Sequence, residues 1–262
     1  MTFELVVATF GRTDELSSLL DSLERQTHEN FRVIVVDQNP DDRLDPVLSA
    51  HSSLELERLR APAGLSRARN AGLPFLRADV VAFPDDDCTF PPDLLERLAA
   101  RFAAEPGLDG LTGRAPDSSS WKRDAATLTR ENLWNRAISF TIFLRRDVVE
   151  RVGDFDEALG LPAAAGEEID YLIRALDAGA RIDYDPTLVV GHDDKPDADA
   201  YGAREGASLG RILRKHHYPP RTVARMFVRP AGGLFVAVAQ RNRRRARFQL
   251  DTLRGRLRGY RS

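Results

Sequence analysis

The sequence has little sulfur and no long uninterrupted apolar segment, and each shortage excludes a class of protein. A single cysteine among 262 residues, Cys88, excludes an internal disulfide framework and fits a reducing compartment. No uninterrupted apolar run approaches the ~20 residues of a membrane-spanning helix, and the apolar segment 3–8 follows no basic leader. We therefore expect a cytoplasmic chain, soluble or peripheral at the inner face of a membrane.

The charges are distributed unevenly along the chain. The formal net charge is only −2, yet residues 204–262 hold 16 Lys/Arg and 2 Asp/Glu, which leaves 22 and 38 for the remainder. An acidic body needs a cation to attract an anionic substrate, whereas an arginine-rich end suits the phosphate groups of a membrane or a polymer. With 42% hydrophobic residues, the chain can bury a sizeable core as one domain with an appendage.

The first half alternates between apolar strand-like runs and amphipathic helical segments. Segments 3–8 and 31–36 read as buried strands, and the segment opened by Thr13 and Asp14 places four leucines on one helical face. Segment 80–83 repeats the strand pattern before a helix that begins near residue 93. This alternation predicts an α/β fold with a mostly parallel sheet between helices, whose ligands bind at the carboxyl ends of the strands.

Polar side chains follow three of these predicted strands. Thr9 follows the first, Asp37 follows the second, and the consecutive Asp85, Asp86 and Asp87 follow the third. Adjacent carboxylates repel one another, so a folded chain tolerates them where solvent or a cation offsets the charge. Carboxylate oxygens suit Mg²⁺ or Mn²⁺, which commonly completes its ligand shell with substrate phosphates. An acidic turn is the alternative for this stretch alone.

The second half is less regular. We expect a loop and a helix over 118–135, a strand over 139–144, helices over 146–152 and 166–176, and short strands over 182–184 and 188–190 that lead to His192. From about residue 200 the chain is basic and helical in character, and we expect Pro219, Pro220 and Pro230 to interrupt it.

Five ordered blocks resemble the family 2 glycosyltransferases over roughly residues 3–192. The blocks are Val7 to Arg12, Val36 to Asn39, Gly64 to Gly72, Phe83 to Asp87, and Gly166 to Asp170 followed by Arg174. The resemblance implies a GT-A fold, a Rossmann-like, mostly parallel sheet flanked by helices. We accordingly expect a GT-A domain over residues 1–200 and a basic helical extension over 201–262.

The resemblance also implies where a nucleotide-diphosphate sugar binds. Its metal, Mn²⁺ or Mg²⁺, would be held by Asp87 and Asp85 with His192 close by, and it would neutralise the departing diphosphate. Gln38 stands where many relatives have an aspartate, and its amide still suits uracil or thymine. The implied donor-binding residues are Thr9, Phe10, Arg12, Asp37, Gln38, Arg69, Asp85 and Asp86.

By the same resemblance, the pair Glu167 and Glu168 stands where the family has Glu-Asp. Glu168 would be the general base that takes the proton from an acceptor hydroxyl, and Glu167 or Asp170 could share or replace that role. The implied reaction is one displacement with inversion, onto the hydroxyl of a saccharide or of a lipid-linked acceptor.

Several alternatives stay open. Segment 229–247 is apolar and then strongly basic, which fits contact with an anionic membrane or a helix packed on the domain with its arginines in solvent. Nucleic acid is not an expected partner, because no recognised motif or interleaved aromatic residues accompany the basic charge. A sugar-nucleotide pyrophosphorylase-like enzyme and a non-catalytic nucleotide-sugar or polyanion-binding module are the alternative functions.

Overall fold

The computed structural model describes residues 1–116, 121–160, 165–192 and 202–262. These residues divide into two compact units. Unit 1 takes the described residues of Met1–Glu157 and Tyr171–Asp193, and unit 2 takes those of Ala158–Asp170 and Asp194–Ser262. The division into residues 1–200 and 201–262 stays a prediction.

Unit 1 is built on a sheet with strand order β3-β2-β1-β4-β8-β6-β9-β7. Pairs β1–β2, β2–β3, β1–β4 and β6–β9 are parallel, whereas β4–β8, β6–β8 and β7–β9 are antiparallel, so the predicted mostly parallel sheet is confirmed. Strands β5 and β10 form a separate antiparallel pair. The strands are β1 (Phe3–Thr9), β2 (Phe31–Asp37), β3 (Leu56–Arg60), β4 (Val80–Ala82), β5 (Cys88–Thr89), β6 (Gly110–Arg114), β7 (Ala126–Thr127), β8 (Phe143–Arg145), β9 (Ile182–Val189) and β10 (Gly191–His192).

Helices follow most strands of unit 1, and three further helices form most of unit 2. Short 3₁₀ helices occupy Leu73–Phe75, Leu133–Asn135 and Ser139–Thr141. The α-helices are α1 (Asp14–Glu24), α2 (Asp45–Ala50), α3 (Leu65–Gly72), α4 (Leu94–Ala104), α5 (Arg146–Val152), α6 (Glu167–Asp177), α7 (Gly202–Lys215), α8 (Pro220–Ala239) and α9 (Arg243–Arg261).

The core of unit 1 explains why β1 is apolar at almost every position. All seven residues of β1 are buried, because helices cover the parallel sheet on both faces. The leucine stripe of α1 is fully buried, as its spacing predicts. Helix α3 approaches β1 closely at Gly72, where an added β-carbon would lie 2.6 Å from Cγ1 of Val6. This packing fixes the carboxyl ends of β1, β2 and β4 relative to one another.

The predicted strand over 139–144 is partly wrong. Ser139–Thr141 forms a 3₁₀ turn, closed by a 3.0 Å bond from the Thr141 amide to the Ile138 carbonyl, and the strand begins only at Phe143. Within this turn, the Ser139 hydroxyl donates a hydrogen bond to the Asp85 carboxylate. The predicted loop and helix over 118–135 lie partly outside the described residues, and the described part contains β7 and a single 3₁₀ turn.

Helices α7 and α9 of unit 2 pack through glycines. Gly202, Gly206 and Gly210 recur every fourth residue on α7, and Gly255 and Gly259 do so on α9. A β-carbon at Gly206 would lie 2.5 Å from the Thr252 carbonyl oxygen, and one at Gly259 would overlap the carbonyl oxygen of Ala207. The two backbones therefore touch directly, and a side chain at these glycines would force them apart.

The expectation that Pro230 interrupts the C-terminal helices is wrong. Pro230 lies inside α8 and is buried. A proline inside a helix leaves the carbonyl four residues earlier without its amide donor, and that carbonyl belongs to Met226. Here Nη1 of Arg256, on α9, donates a hydrogen bond to the Met226 carbonyl oxygen. The replacement donor comes from a distant part of the sequence, so local inspection could not reveal it.

Helix α8 qualifies the expectation that was based on the lack of a long uninterrupted apolar run. Among the described residues, helix α8 is long and apolar enough to cross a membrane, by length and composition, with a mean hydropathy of 1.3 over its most apolar 18-residue window. Inspection for an uninterrupted apolar run missed it because arginines divide the run. Only 11% of that window is buried, and the large apolar residues Val228, Phe235 and Val238 are 62–77% exposed.

Candidate active site

The carboxyl ends of three neighbouring strands meet in unit 1. Thr9 and Asp37 are register partners at the ends of β1 and β2. Asp85, three residues beyond β4, forms a parallel bridge with Ala8 of β1. The polar residues that the sequence placed after these strands therefore lie together, as parallel strands require.

Asp37 is a buried anchor for the loop after β2. Its carboxylate accepts a 3.0 Å hydrogen bond from Nε of Arg58 and 2.8 Å bonds from both the backbone and the side-chain amide of Asn39. Burial opposes ionisation, but the donors outweigh it and hold the pKa of Asp37 below its ordinary value. Asn39 in turn accepts a 2.7 Å bond from the Gly11 amide. Asp37 thus fixes the two loops that follow β1 and β2.

Gln38 and Phe10 lie at the same edge of the sheet with different exposures. The Gln38 carbonyl oxygen accepts a 2.7 Å hydrogen bond from the Gly64 amide, and its nitrogen lies 3.4 Å from the Thr9 carbonyl oxygen. Phe10 is 58% exposed. The oxygen of Gln38 is therefore engaged by the loop before α3, while its weakly bound NH₂ group remains able to donate to a ligand.

Asp85 is fixed by two donors from different parts of unit 1. Nη2 of Arg69 lies 3.1 Å from Oδ1, and the Ser139 hydroxyl donates to Oδ2 over 2.9 Å. Arg69 is only 1% exposed, and its guanidinium carbon lies 5.5 Å from the centre of the Phe155 ring. A buried guanidinium stacked on an aromatic ring has little rotational freedom, so the position of Asp85 is well defined.

Arg12 bridges the next two carboxylates. Its Nη1 lies 2.5 Å from Oδ1 of Asp86 and 2.7 Å from Oδ2 of Asp87. Burial raises the pKa of Asp86 above its ordinary value even though Arg12 opposes the rise. Burial acts on Asp87 in the same direction, but a hydrogen bond from His192 and the charges of His192 and Arg12 outweigh it, so the pKa of Asp87 is lowered.

His192 reaches this cluster from strand β10, which pairs antiparallel with β5 and sets His192 opposite Cys88. Its Nε2 lies 3.1 Å from Oδ1 of Asp87, and its ring stacks on Phe140 with centroids 4.6 Å apart. The bond to Asp87 raises the pKa of His192 above its ordinary value, although burial opposes the rise. The ring is thus oriented from two sides, with one nitrogen directed at the acidic cluster.

The cluster fits a divalent metal. One ligand atom each from Asp85, Asp87 and His192 can lie within 4.8 Å of the others. Two carboxylate oxygens and one imidazole nitrogen suit Mn²⁺, and also Mg²⁺ if oxygen ligands predominate. The Arg12 guanidinium already places positive charge against Asp87, one of these three residues.

The carboxylates of the predicted general base belong to unit 2. Glu167 and Glu168 form the first turn of α6, where Glu167 is 5% exposed and Glu168 is half-buried. Asp170 is fully buried, and its Oδ1 lies 2.6 Å from Nζ of Lys215 and 2.8 Å from Nε2 of His216. Asp170 therefore joins the start of α6 to the end of α7 within this unit.

Sequence reasoning missed four residues that shape the cluster in unit 1. Arg58 and Ser139 hydrogen-bond to Asp37 and Asp85, and their roles depend on contacts between distant segments that have no local signal. The ring of Phe140 became relevant only once β10 was placed. Only Asn39 had a local signal. An aspartate side chain in a turn often accepts a hydrogen bond from the backbone amide two residues later, and Asn39 stands two residues after Asp37.

The mostly parallel sheet, with its acidic cluster at the strand ends, defines a GT-A fold, the fold of nucleotide-diphospho-sugar transferases. Residues 4–155 match the description "Glycosyl transferase family 2". The chain belongs to this family of glycosyltransferase enzymes.

Solved structures agree with this fold. The chain is similar to the mannosyltransferase PcManGT of Pyrobaculum calidifontis, solved with GDP-Man and Mn²⁺, with a TM-score of 0.70 at 15% identity and coverage of 98% and 86% of the two chains. It is also similar to residues 1–349 of S. aureus TarS, solved with UDP-GlcNAc, with a TM-score of 0.66 at 17% identity and coverage of 98% and 91%. At these identities, the likeness shows the fold alone.

Curated relatives are more similar in sequence. A pre-mycofactocin glycosyltransferase of Mycobacterium tuberculosis is 29% identical over 233 residues, which cover 81% of this chain and 47% of the relative. A glucosyl-dolichyl phosphate glucuronosyltransferase of Haloferax volcanii is 27% identical over 220 residues, covering 73% and 69%. This chain therefore spans about half the length of the first curated relatives that it matches.

Proposed function

We propose that this chain transfers a sugar from a nucleotide-diphosphate donor to an acceptor hydroxyl, with inversion and with a divalent metal. The observation that carries the proposal is the meeting of Thr9, Asp37 and Asp85 at the ends of adjacent parallel strands in a family 2 chain. The ligands named for PcManGT and TarS, GDP-Man with Mn²⁺ and UDP-GlcNAc, support a donor of this chemical class.

The metal would be held by Asp87, Asp85 and His192, and it would offset the negative charge of the leaving diphosphate as a Lewis acid. Asp85 and Asp86 also suit the ribose, because carboxylates accept hydrogen bonds from hydroxyl groups. A metal at Asp87 would share that carboxylate with Arg12 or displace it, and a displaced guanidinium could then bind a phosphate oxygen.

The remaining donor contacts would define the nucleoside. Thr9 and Phe10 line the end of β1, and the exposed Phe10 ring offers a face on which a base can stack. The NH₂ group of Gln38 can donate to a base carbonyl, while Asp37 fixes its loop from within. We favour UDP- or dTDP-sugars on this chemistry. The buried guanidinium of Arg69 would position the Asp85 carboxylate, and Asp85 would in turn position the ribose.

Glu168 is our proposed general base. It would take the proton from the acceptor hydroxyl as that oxygen attacks the anomeric carbon, while the diphosphate leaves as an anion without a protein acid. Asp170 is a weaker candidate, because its carboxylate is fully buried and is already paired with Lys215 and His216. Glu167 would help to stabilise the first turn of α6, which also carries Glu168. Asp170 would then position the turn that carries Glu168.

The test combines donor calorimetry with a transfer assay on the full chain. We expect Glu168→Gln to lower turnover about 10²–10⁴-fold while leaving donor affinity within about twofold, and Asp87→Asn to lose metal-dependent donor binding. Asp177→Asn, at the far end of α6, is the matched control and should keep both properties. Normal turnover by Glu168→Gln would refute the assignment of the base.

A thermal-shift series separates the alternatives. UDP, dTDP and GDP are each added with and without Mn²⁺, and stabilisation by a diphosphate that requires metal supports the transferase. Formation of pyrophosphate from a nucleoside triphosphate and a sugar phosphate would favour a pyrophosphorylase-like enzyme. Metal-independent binding without transfer or donor hydrolysis would favour a non-catalytic module.

For the C-terminal segment, we propose contact with an anionic membrane at its cytoplasmic face, with a saccharide or a lipid-linked acceptor. Exposed apolar residues of α8, such as Phe235 and Val238, are followed by the arginines that open α9. The relative named for glucosyl-dolichyl phosphate supports a lipid-linked acceptor. In vesicle flotation, Phe235→Ser with Val238→Asn should reduce binding to anionic vesicles, whereas equal flotation would favour a solvent-facing helix.

A further inference from the structure

One face of α1 in unit 1 carries an unexplained polar cluster that lies apart from the acidic cluster after β4. Ser17, Asp21 and Glu24 recur at intervals of four and three residues, so they share a helical face. This face meets His51, the residue that follows α2. Two carboxylates on one face of a helix are common by themselves, but the environment of His51 is unusual.

His51 is only 4% exposed and is held from one side. Its Nε2 lies 3.1 Å from the Ser17 hydroxyl. Its Nδ1 points into the carboxylate pair, 3.4 Å from Oε1 of Glu24 and 3.9 Å from Oδ1 of Asp21, and it is buried without a hydrogen-bond partner. A buried imidazole nitrogen that makes no hydrogen bond is costly, so a ligand between the three groups would remove that cost.

The spacing and chemistry of these groups match a zinc ion. The three ligand atoms all lie within 4.8 Å of one another. Tetrahedral zinc with bonds of about 2.0–2.2 Å places its ligand atoms about 3.3–3.6 Å apart, so the 3.4 Å separation already fits and the 3.9 Å separation needs a small side-chain adjustment. Asp21 and Glu24 are partly exposed and can make this adjustment at little cost.

The surroundings are compatible with the form of the histidine that binds a metal through Nδ1. If Nε2–H donates to the Ser17 hydroxyl oxygen, the lone pair of Nδ1 faces the carboxylates. Ser53 donates a hydrogen bond to the same oxygen of Glu24, Oε1, and helps to orient that carboxylate. Metal-binding histidines and carboxylates commonly have such outer partners. An imidazole ligand favours zinc over Mg²⁺ or Ca²⁺, which prefer oxygen.

We propose that Asp21, Glu24 and His51 form a second metal site that binds Zn²⁺ and fastens α1 to the end of α2. The ion would have one nitrogen and two carboxylate ligands, with water completing its shell on the exposed side. This site does not depend on the proposed transferase reaction. It lies on α1 and at the end of α2, whereas the Asp85–Asp87 cluster follows β4.

The test must exclude zinc bound at the other cluster, so every variant is made in a full-length Asp87→Asn background. After chelator treatment and dialysis, zinc affinity and stoichiometry are measured by calorimetry and by elemental analysis. We expect about one zinc ion per chain, and at least tenfold weaker binding in Asp21→Asn and in Glu24→Gln. Asp14→Asn removes a charge from the first residue of the same helix, about two turns before Asp21, and should bind zinc as the background does.

Two further measurements keep the result decisive. Zinc should raise the melting temperature of the background and of Asp14→Asn, and this rise should be clearly smaller in Asp21→Asn at the same zinc concentration. X-ray absorption should show one nitrogen and otherwise oxygen ligands. The partly exposed carboxylates are tested first because replacing the buried His51 could disturb folding. Equal zinc affinity in Asp21→Asn, Glu24→Gln and Asp14→Asn, or no zinc uptake by the background, would overturn the proposal.

Discussion

Replacing Arg12 with glutamine should strengthen metal binding and weaken donor binding in the same protein. In the structure, Nη1 of Arg12 contacts both Asp86 and Asp87, and Asp87 is a proposed metal ligand. A metal that binds there has to compete with a guanidinium for the same carboxylate. A bound diphosphate, in contrast, would lose a proposed cationic partner when Arg12 is removed.

The magnitude follows from the charges. Opposite unit charges about 4 Å apart attract by about 4 kcal/mol at an effective dielectric constant of 20. Arg12 is 26% exposed, and water and desolvation reduce the net value to about 1–2 kcal/mol. Relief of this competition should tighten Mn²⁺ binding about tenfold. Without metal, the variant should lose about 1–3 kcal/mol of stability, because Asp86 and Asp87 are left as adjacent buried carboxylates.

The assay is calorimetry with Mn²⁺ alone and then with UDP at saturating Mn²⁺, together with thermal melts in chelator and in Mn²⁺. Arg67→Gln is the matched control, since Arg67 forms a 3.0 Å pair with Glu157 in which both side chains are nearly half exposed. We expect the control to change neither affinity by more than about twofold. Unchanged or weaker Mn²⁺ binding by Arg12→Gln would refute the competition.

Three further predictions concern stability. Gly259→Ala should destabilise the chain by about 2–4 kcal/mol in denaturant unfolding, because the added β-carbon would overlap the facing helix. Gly232→Ala is the control, since no atom lies within 4 Å of the added β-carbon, and it should be neutral or stabilising by up to about 1 kcal/mol. Replacing Arg256 with methionine should cost less stability in a Pro230→Ala background, because alanine restores the amide donor that Arg256 replaces; additive effects in the double-mutant cycle would contradict this role. The folded-state pKa of Asp37 is lowered, so its contribution is present above the ordinary aspartate pKa near 4 and is lost as the pH falls through the folded value. Asp37→Asn should therefore be destabilised at pH 7, with the difference from wild type shrinking in acid melts, and a constant difference down to pH 2 would argue against it.

In the first 115 residues, strands β1, β2 and β4 and helices α1 and α4 were predicted well because each carries its own signal, whereas α2, β5 and β6 were not predicted. Strand β1 is apolar throughout and ends at Thr9, and α1 has a leucine stripe that its spacing reveals. The conclusion that Asp37 and Asp85 would meet needed only the rule for parallel strands, and their register confirms it. Local pattern and global fold agree in this region.

Beyond this region, the contacts that determine the local structure join residues that are far apart in the sequence. Ser139 turns toward Asp85 instead of continuing a strand, and no nearby residue indicates that turn. Pro230 continues a helix because Arg256 supplies the missing donor from another helix. The partners of Asp170 were equally hidden, since Lys215 and His216 stand in a segment that the sequence indicated only to be basic and helical. A pattern within one segment cannot report a partner in another.

The short pairing of β5 with β10 has a consequence for the order in which the chain assembles. This pairing brings His192 to Asp87, although His192 comes roughly a hundred residues later in the sequence. On the ribosome, the strands that end at Thr9, Asp37 and Asp85 can form while His192 is still unsynthesised. Closing so long a loop early would cost chain entropy that two paired residues alone cannot offset. The proposed metal ligand set is therefore completed late, after most of unit 1 has emerged.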